Sequence, residues 1–235
     1  MTDLLQIEHL DYQRNYHRIL TDINLTLPAG QIVGLLGANG AGKTTLMRLI
    51  AGVAPHFRGS ITVAGATAIA ARKAVVSYSA LLAGAPANAR LEQLALFCER
   101  LYPDFAFAHF QQLATEFALD CHAKLSTLSK GNQRKFTIAL TLARRSQLYL
   151  LDEPFDGIDS MTRKKILAGI IQWKPDAATM VISDHHVGDI ANLLDSVVII
   201  KDQRIVAHER ADTIRETHHQ SIEDYYEALY EEAQS

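Results

Sequence analysis

The run Gly37-Ala38-Asn39-Gly40-Ala41-Gly42-Lys43-Thr44-Thr45 carries the densest chemistry of the chain. It fits G-x-x-x-x-G-K-[ST], a spacing whose glycines let the backbone turn sharply and let oxygen atoms approach its N–H groups. Lys43 supplies a flexible ammonium for β- and γ-phosphates, and Thr44 a hydroxyl for the Mg²⁺ that bridges them. The implied chemistry is capture of the phosphate chain of a nucleoside triphosphate. A second group stands at Leu150-Leu151-Asp152-Glu153-Pro154. An apolar strand ending in an acidic pair places Asp152 at the carboxyl edge of a sheet, where ligands of open α/β sheets bind. Asp152 suits a direct or outer-shell contact with Mg²⁺, and Glu153, one residue further into the cleft, can orient or deprotonate an attacking water.

These residues need a frame. Gln31 to Leu36 reads as a short buried strand and Thr45 to Ala51 as a helix with an apolar face. The loop between them therefore opens a helix whose unpaired amides and dipole favour an anion. Leu4 to Leu10, Ile23 to Leu27 and Gly59 to Gly65 read as strands bounded by turns, which predicts a small antiparallel sheet beside the nucleotide core. From Leu91 to about Arg145 the spacing becomes helical, with Leu91, Leu94, Ala95 and Cys98 on one face and Phe110, Leu113, Ala114 and Phe117 on another. Strand spacing resumes at Gln147 to Asp152, followed by a helix around Met161 to Trp173 and a strand at Thr179 to Ser183. The expected class is α/β: a mainly parallel core sheet, an N-terminal antiparallel β part and an inserted helical lobe.

Composition bounds the rest. With 235 residues, 48% of them hydrophobic, the chain can bury a substantial core as one large domain. A net charge of −3 gives no reason to expect nucleic acid or an anionic membrane surface. Cys98 and Cys121 form no C-x-x-C pair, which fits reduced thiols in a cytosolic setting. No apolar run approaches the length of a membrane span, and Met1-Thr2-Asp3 lacks the basic start of a signal peptide. The histidines, His218-His219 included, show no metal-ligand spacing.

With the loop Leu128-Ser129-Lys130-Gly131-Asn132-Gln133 placed between the helical lobe and the acidic strand, the chain resembles the nucleotide-binding domain of ABC-type ATPases over nearly its whole length. The family's signature loop has a second glycine where this chain has Lys130. The resemblance implies a single ATPase domain over 1–235, with a nucleotide-binding core at about 1–84 and 146–207, a helical lobe at about 85–145 and a tail helix in 208–235. It implies ATP and Mg²⁺ as ligands and ATP hydrolysis as the reaction. It further implies head-to-tail pairing, as a homodimer or heterodimer of ATPase domains, in which Ser129 and Gly131 of one domain close over the nucleotide held by the loop of the other. Gly157-Ile158-Asp159 is similar to the loop whose aspartate touches the partner domain, and His185, with His186 as competitor, to the histidine that senses the γ-phosphate.

The resemblance also carries departures. The glutamine that normally follows the strand before the helical lobe is missing: Ala74 to Tyr78 is followed by Ser79-Ala80-Leu81, and the position falls near Ala80 with Ser79 as the nearest polar residue. Slower hydrolysis than in relatives that keep the glutamine is the expectation. For the side chain that stacks on adenine, Tyr12, Arg14 and Tyr16 are available, and Tyr16 is favoured as nearest the phosphate loop in sequence. Near the C-terminus, Ser221 and Asp224 spell a capping box, with Ile222, Tyr225 or Tyr226, and Leu229 as an apolar stripe. The implied partner is an integral membrane transport subunit, with the chain cytoplasmic and peripheral to the inner face of the cell membrane, and the branch is that of exporters with separate membrane subunits. The alternative is a soluble ABC-type mechanical or regulatory ATPase with slow turnover. The long coiled-coil insertion or tandem domains of the mechanical relatives are not visible in the sequence.

Overall fold

The computed structural model describes residues 3–79, 82, 84–184 and 187–231. Its centre is a six-stranded sheet in the order β5-β6-β7-β3-β8-β9. Strands β3 (Ile32–Leu36), β5 (Val76–Tyr78), β6 (Leu148–Asp152), β7 (Thr179–Ser183) and β8 (Ser196–Lys201) are parallel, and β9 (Arg204–Arg210) closes the edge antiparallel to β8. The inner strands are apolar at their centres and buried along almost their whole length because both faces are covered. Side chains alternate between the two faces. Leu148, Leu150, Val181 and Val198 join one core with helix α1 (Lys43–Ile50), while Tyr149, Leu151, Ile182 and Val197 join the other with the helices of the lobe. Strand β9 instead alternates exposed and half-buried residues, as an edge strand with one wet face does.

A second, three-stranded antiparallel sheet has the order β2-β1-β4, from β1 (Asp3–Arg14), β2 (His17–Pro28) and β4 (Arg58–Val63). It packs over α1, whose Leu46, Met47, Leu49 and Ile50 are all buried. Each such side chain contributes on the order of 1.5–3 kcal/mol of burial, so the helix behind the phosphate loop is held by packing and not by its eight residues alone. The helical lobe consists of α3 (Leu91–Leu101), α4 (Phe107–Glu116) and α5 (Lys130–Leu142), and α6 (Ser160–Trp173) lies between β6 and β7.

Three local readings differ from this outcome. Ala74 and Val75 belong to a helix, α2 (Ile69–Val75), and only Val76 to Tyr78 pair as a strand. The strand pair β8–β9 has no counterpart among the expected elements. The tail holds two helices, α7 (Ala211–Glu216) and α8 (Ile222–Glu231), in place of one. Helix α8 does begin at the expected cap, with Asp224 N–H donating to Ser221 Oγ at 3.0 Å and Ser221 N–H donating to Asp224 Oδ2 at 3.4 Å.

The lobe is stapled to the core by Arg144, which is 3% exposed. Its guanidinium donates to both carboxylate oxygens of Asp104 at 3.1 Å, to Val76 O at 2.7 Å and to Lys73 O at 3.0 Å, and lies 4.1 Å over the Tyr102 ring. Replacing it with methionine leaves Asp104 with Ser146 Oγ, at 3.0 Å, in place of a paired guanidinium, and takes the arginine donors from Val76 O and Lys73 O. Arg144→Met is expected to destabilise the fold by about 3 kcal/mol, as removing one partner of a buried pair does. Urea titration checks this through a lower midpoint at unchanged slope.

Candidate functional site

The phosphate loop joins the end of β3 to α1. Gly42 caps α1 at φ 109°, and a Cβ there would stand 2.8 Å from Leu20 Cδ2, so the turn needs both the left-handed backbone and the missing side chain. A Cβ on Gly37 would stand 2.6 Å from Ile200 O, so the loop lies directly on β8. Lys43 is 4% exposed and its ammonium is drawn into the loop, donating to Gly37 O at 2.6 Å and Ala38 O at 3.1 Å. Loss of water around the ammonium pushes its pKa below the ordinary lysine value, while the carboxylates of Glu153, Asp152 and Asp184 pull the other way. A partly desolvated cation, held by loop carbonyls at the N-terminus of a helix, is a site for a polyanion.

Asp152 closes the other side of that cation. Thr44 Oγ1 and Ser183 Oγ donate to its Oδ1 at 3.0 and 2.8 Å, and Tyr78 OH donates to its Oδ2 at 3.1 Å. Its own N–H donates to Ser79 Oγ at 2.9 Å. The register of the parallel sheet brings this about, because Asp152 pairs with Ser183 on β7 and Tyr78 sits beside Leu150 on β5. Burial, and the nearby carboxylate of Asp152, push the Tyr78 phenol well above the usual tyrosine range, which keeps it a donor. Thr44 Oγ1 and the Asp152 carboxylate are hard oxygen donors of the kind Mg²⁺ takes. No group of three or more His, Cys, Asp or Glu fit to hold a metal occurs among the described residues. A Mg²⁺ here would therefore share its shell with phosphate oxygens and water, as it does where phosphates are its main ligands.

Glu153 follows at φ 45°, a left-handed conformation that costs a residue with a Cβ of order 1 kcal/mol or more. Its N–H is held by Ser183 O at 3.1 Å and Ser183 Oγ at 3.0 Å, so the fold enforces the turn that carries its carboxylate past the strand end.

The structure thus joins Lys43, Thr44, Asp152 and Glu153 around one cleft. Ser129, Gly131 and Asp159 form a second group. Ser129 caps α5, its Oγ accepting from Asn132 N–H at 3.2 Å, and Asp159 caps α6, accepting from Thr162 N–H at 2.9 Å. Those Thr162 bonds hold the Asp159 carboxyl below the usual carboxylate range. A Cβ on Gly131 would touch Ile158 at 3.7 Å, and Arg134 pairs with Asp156 at 3.6 Å, so these two loops are neighbours. Ser129 and Asp159 are both exposed.

Tyr16 stands fully exposed (100%) at the tip of the β1–β2 hairpin, in a turn where Asn15 and Tyr16 have φ 49° and 64°. Tyr12 and Arg14, further down the hairpin, instead line a hollow of about 120 Å³ with Thr45, Arg48 and Pro55. His185, His186 and the position near Ala80 lie outside the described residues. What the structure shows at the start of that segment is Ser79 and Tyr78 bonded to Asp152. Tyr78, Ser183 and Asp184, the last of these 2% exposed, are site residues that sequence reasoning missed.

Comparison with known proteins agrees with this geometry. The family model for the ABC transporter matches residues 20–156, more than half of the chain. The ABC transporter ATP-binding protein YtrB of Bacillus subtilis is 28% identical over 91% of this chain and 74% of its own length. The aliphatic sulfonates import ATP-binding protein SsuB 2 of Pseudomonas syringae pv. syringae is 31% identical over 90% and 74%. The linearmycin resistance ATP-binding protein LnrL of Bacillus subtilis is 30% identical over 87% and 68%. A solved ATP-binding subunit of an ABC transporter superposes with a TM-score of 0.83 at 25% identity, covering 97% of this chain and 99% of that one. With its phosphate loop, acidic strand and signature loop in the family's order, the chain belongs to the ABC transporter family as one of its ATP-binding, ATP-hydrolysing domains.

Proposed function

We propose that this ATPase works as half of a composite machine. Two such domains, in the simplest case two copies of this chain, close head to tail around ATP and drive transport through a separate integral membrane subunit. The observation that carries the reading is the division of the site. Lys43, Thr44, Asp152 and Glu153 converge on one cleft, while the Ser129 cap and Asp159 sit exposed at the ends of α5 and α6, available to a second domain.

In this reading the loop amides and Lys43 bind the β- and γ-phosphates, and the adenine lies against Tyr12 and Arg14, where the hairpin meets α1, in place of Tyr16. Mg²⁺, held by Thr44 and Asp152, would neutralise phosphate charge when bound. Glu153 orients the attacking water and takes its proton. Ser129 and the amides beside it in the partner domain complete the shell around the γ-phosphate, and His185 senses that phosphate.

The membrane partner is supported from two sides. None of the helices among the described residues is long and apolar enough to cross a membrane. The helical lobe also carries an apolar groove of about 450 Å³ lined by Leu82, Pro86, Phe97, Leu101 and Tyr102, with Phe97 61% and Leu101 54% exposed. Exposed apolar side chains grouped on one face mark a docking surface, here one that would hold the chain against the inner face of the membrane. A tagged chain extracted in detergent is expected to bring down a multi-span membrane protein, and Phe97→Asp to lose it while ATP binding persists. Extraction of the wild-type chain with no membrane protein attached would count against the transport role.

A further inference from the structure

The C-terminal helix reaches the phosphate loop. Tyr230, near the end of α8, accepts the Ala38 N–H at 2.9 Å and donates its hydroxyl to Ile200 O at 2.6 Å. Ala38 N–H belongs to the same peptide unit as Gly37 O, the carbonyl that receives the Lys43 ammonium at 2.6 Å. One peptide plane is therefore held from both sides, by the tyrosine on its N–H and by the lysine on its C=O. Bonds in such a chain polarise one another, so each depends on the other being in place.

The helix that brings Tyr230 there is firmly seated. Ile222 is 1% exposed in the core. Lys201 donates to Leu229 O at 2.6 Å and Tyr230 O at 3.3 Å, placing a cation at the negative end of α8, and its ammonium lies 5.1 Å from the centre of the Tyr230 ring. The Tyr226 ring packs 4.9 Å from that of Tyr230. The helix also packs on the turn Val187–Asp189. Gly37, which has no room for a Cβ against Ile200 O, lets the loop come close enough for the hydroxyl to bridge it to β8.

We propose that Tyr230 is a positioning residue for the nucleotide site. Its hydroxyl fixes the orientation of the Gly37–Ala38 peptide, and through that carbonyl the placement of the Lys43 ammonium, so that nucleotide affinity depends on the docked C-terminal helix. The inference rests on phosphate binding at Lys43, and it is independent of the dimer and of the membrane partner.

The test is Tyr230→Phe in the full chain, which keeps the ring and its packing and removes only the hydroxyl. ATP and ADP titrations should give dissociation constants about three- to tenfold higher, the range for one net hydrogen bond. Hydrolysis at saturating ATP should change less than about twofold, since the group acts on binding. The decisive readout is coupling. In a Lys43→Ala background the same substitution should change the dissociation constants less than about twofold, because the side chain it positions is gone. Unchanged affinity in Tyr230→Phe would overturn the proposal. So would an equal loss with and without Lys43, or an equal loss from Tyr225→Phe on the same helix, since either would assign the effect to helix packing.

Discussion

Glu153→Gln is expected to lower the rate of ATP hydrolysis by about two to four orders of magnitude, the contribution of a positioned general base, while the dissociation constant for ATP stays within about threefold. The amide has the shape of the carboxylate. The backbone bonds that hold residue 153 in place, from its N–H to Ser183 O and Oγ, do not involve the side chain, so the φ 45° turn survives the change. Asp152 keeps its three hydroxyl donors from Thr44, Ser183 and Tyr78, and the neighbouring carboxylate remains in position. What is lost is proton acceptance at a single atom. Single-turnover hydrolysis alongside equilibrium nucleotide binding separates the two quantities. A loss in rate smaller than about tenfold would show that another group takes the proton, since even a modest general base contributes more than that.

Lys43→Ala should act on binding. Hydrogen bonds to a charged group are worth about 1.5–3 kcal/mol, so the dissociation constants for ATP and ADP are expected to rise on the order of ten- to a hundredfold. The loss has a second source in this chain. The ammonium bonds Gly37 O and Ala38 O, and without it those carbonyls lose the donor that draws the loop into a ring. The loop must then order itself when nucleotide binds, which weakens affinity further. Stability should change little. Burial pushes the Lys43 pKa down, so the charge removed was partly unfavourable in the folded chain, and its loss offsets the two hydrogen bonds to Gly37 O and Ala38 O. Isothermal titration for affinity and thermal unfolding for stability test both halves. Affinity within twofold of the parent chain would mean that phosphate recognition rests on the loop amides alone.

The chemistry that was legible in the sequence is the chemistry encoded in short runs. The phosphate loop, the acidic strand end and the helix cap at Ser221 each depend on residues within a few positions of one another, and the structure holds Lys43 on Gly37 O and Asp224 on Ser221 as those runs imply. Tyr78 and Ser183 were missed because their role is a property of sheet register. Nothing near Tyr78 in sequence announces that a parallel strand 74 residues later will place a carboxylate 3.1 Å from its hydroxyl. Tyr230 is the extreme case, meeting Ala38 across 192 residues. The choice of Tyr16 for adenine followed sequence proximity to the loop, whereas an extended hairpin carries each residue about 3.3 Å further along its axis, and the tip ends up in solvent. The pair β8–β9 left no expectation because a short apolar run such as Ser196 to Lys201 is told from a buried helix segment only by its flanks, and β9 alternates in burial but not in hydropathy, with Val206 exposed and Glu209 half-buried.

The most direct measurement of the composite site is the solution mass of the Glu153→Gln chain with and without ATP and Mg²⁺, since a site that binds but does not hydrolyse should remain closed. The expected mass is that of one chain without nucleotide and of two with ATP, returning to one when Ser129 is also replaced by arginine, whose bulk would stand where the partner's phosphate must come. A Glu153→Gln chain that binds ATP to saturation and keeps the mass of a single chain would contradict it.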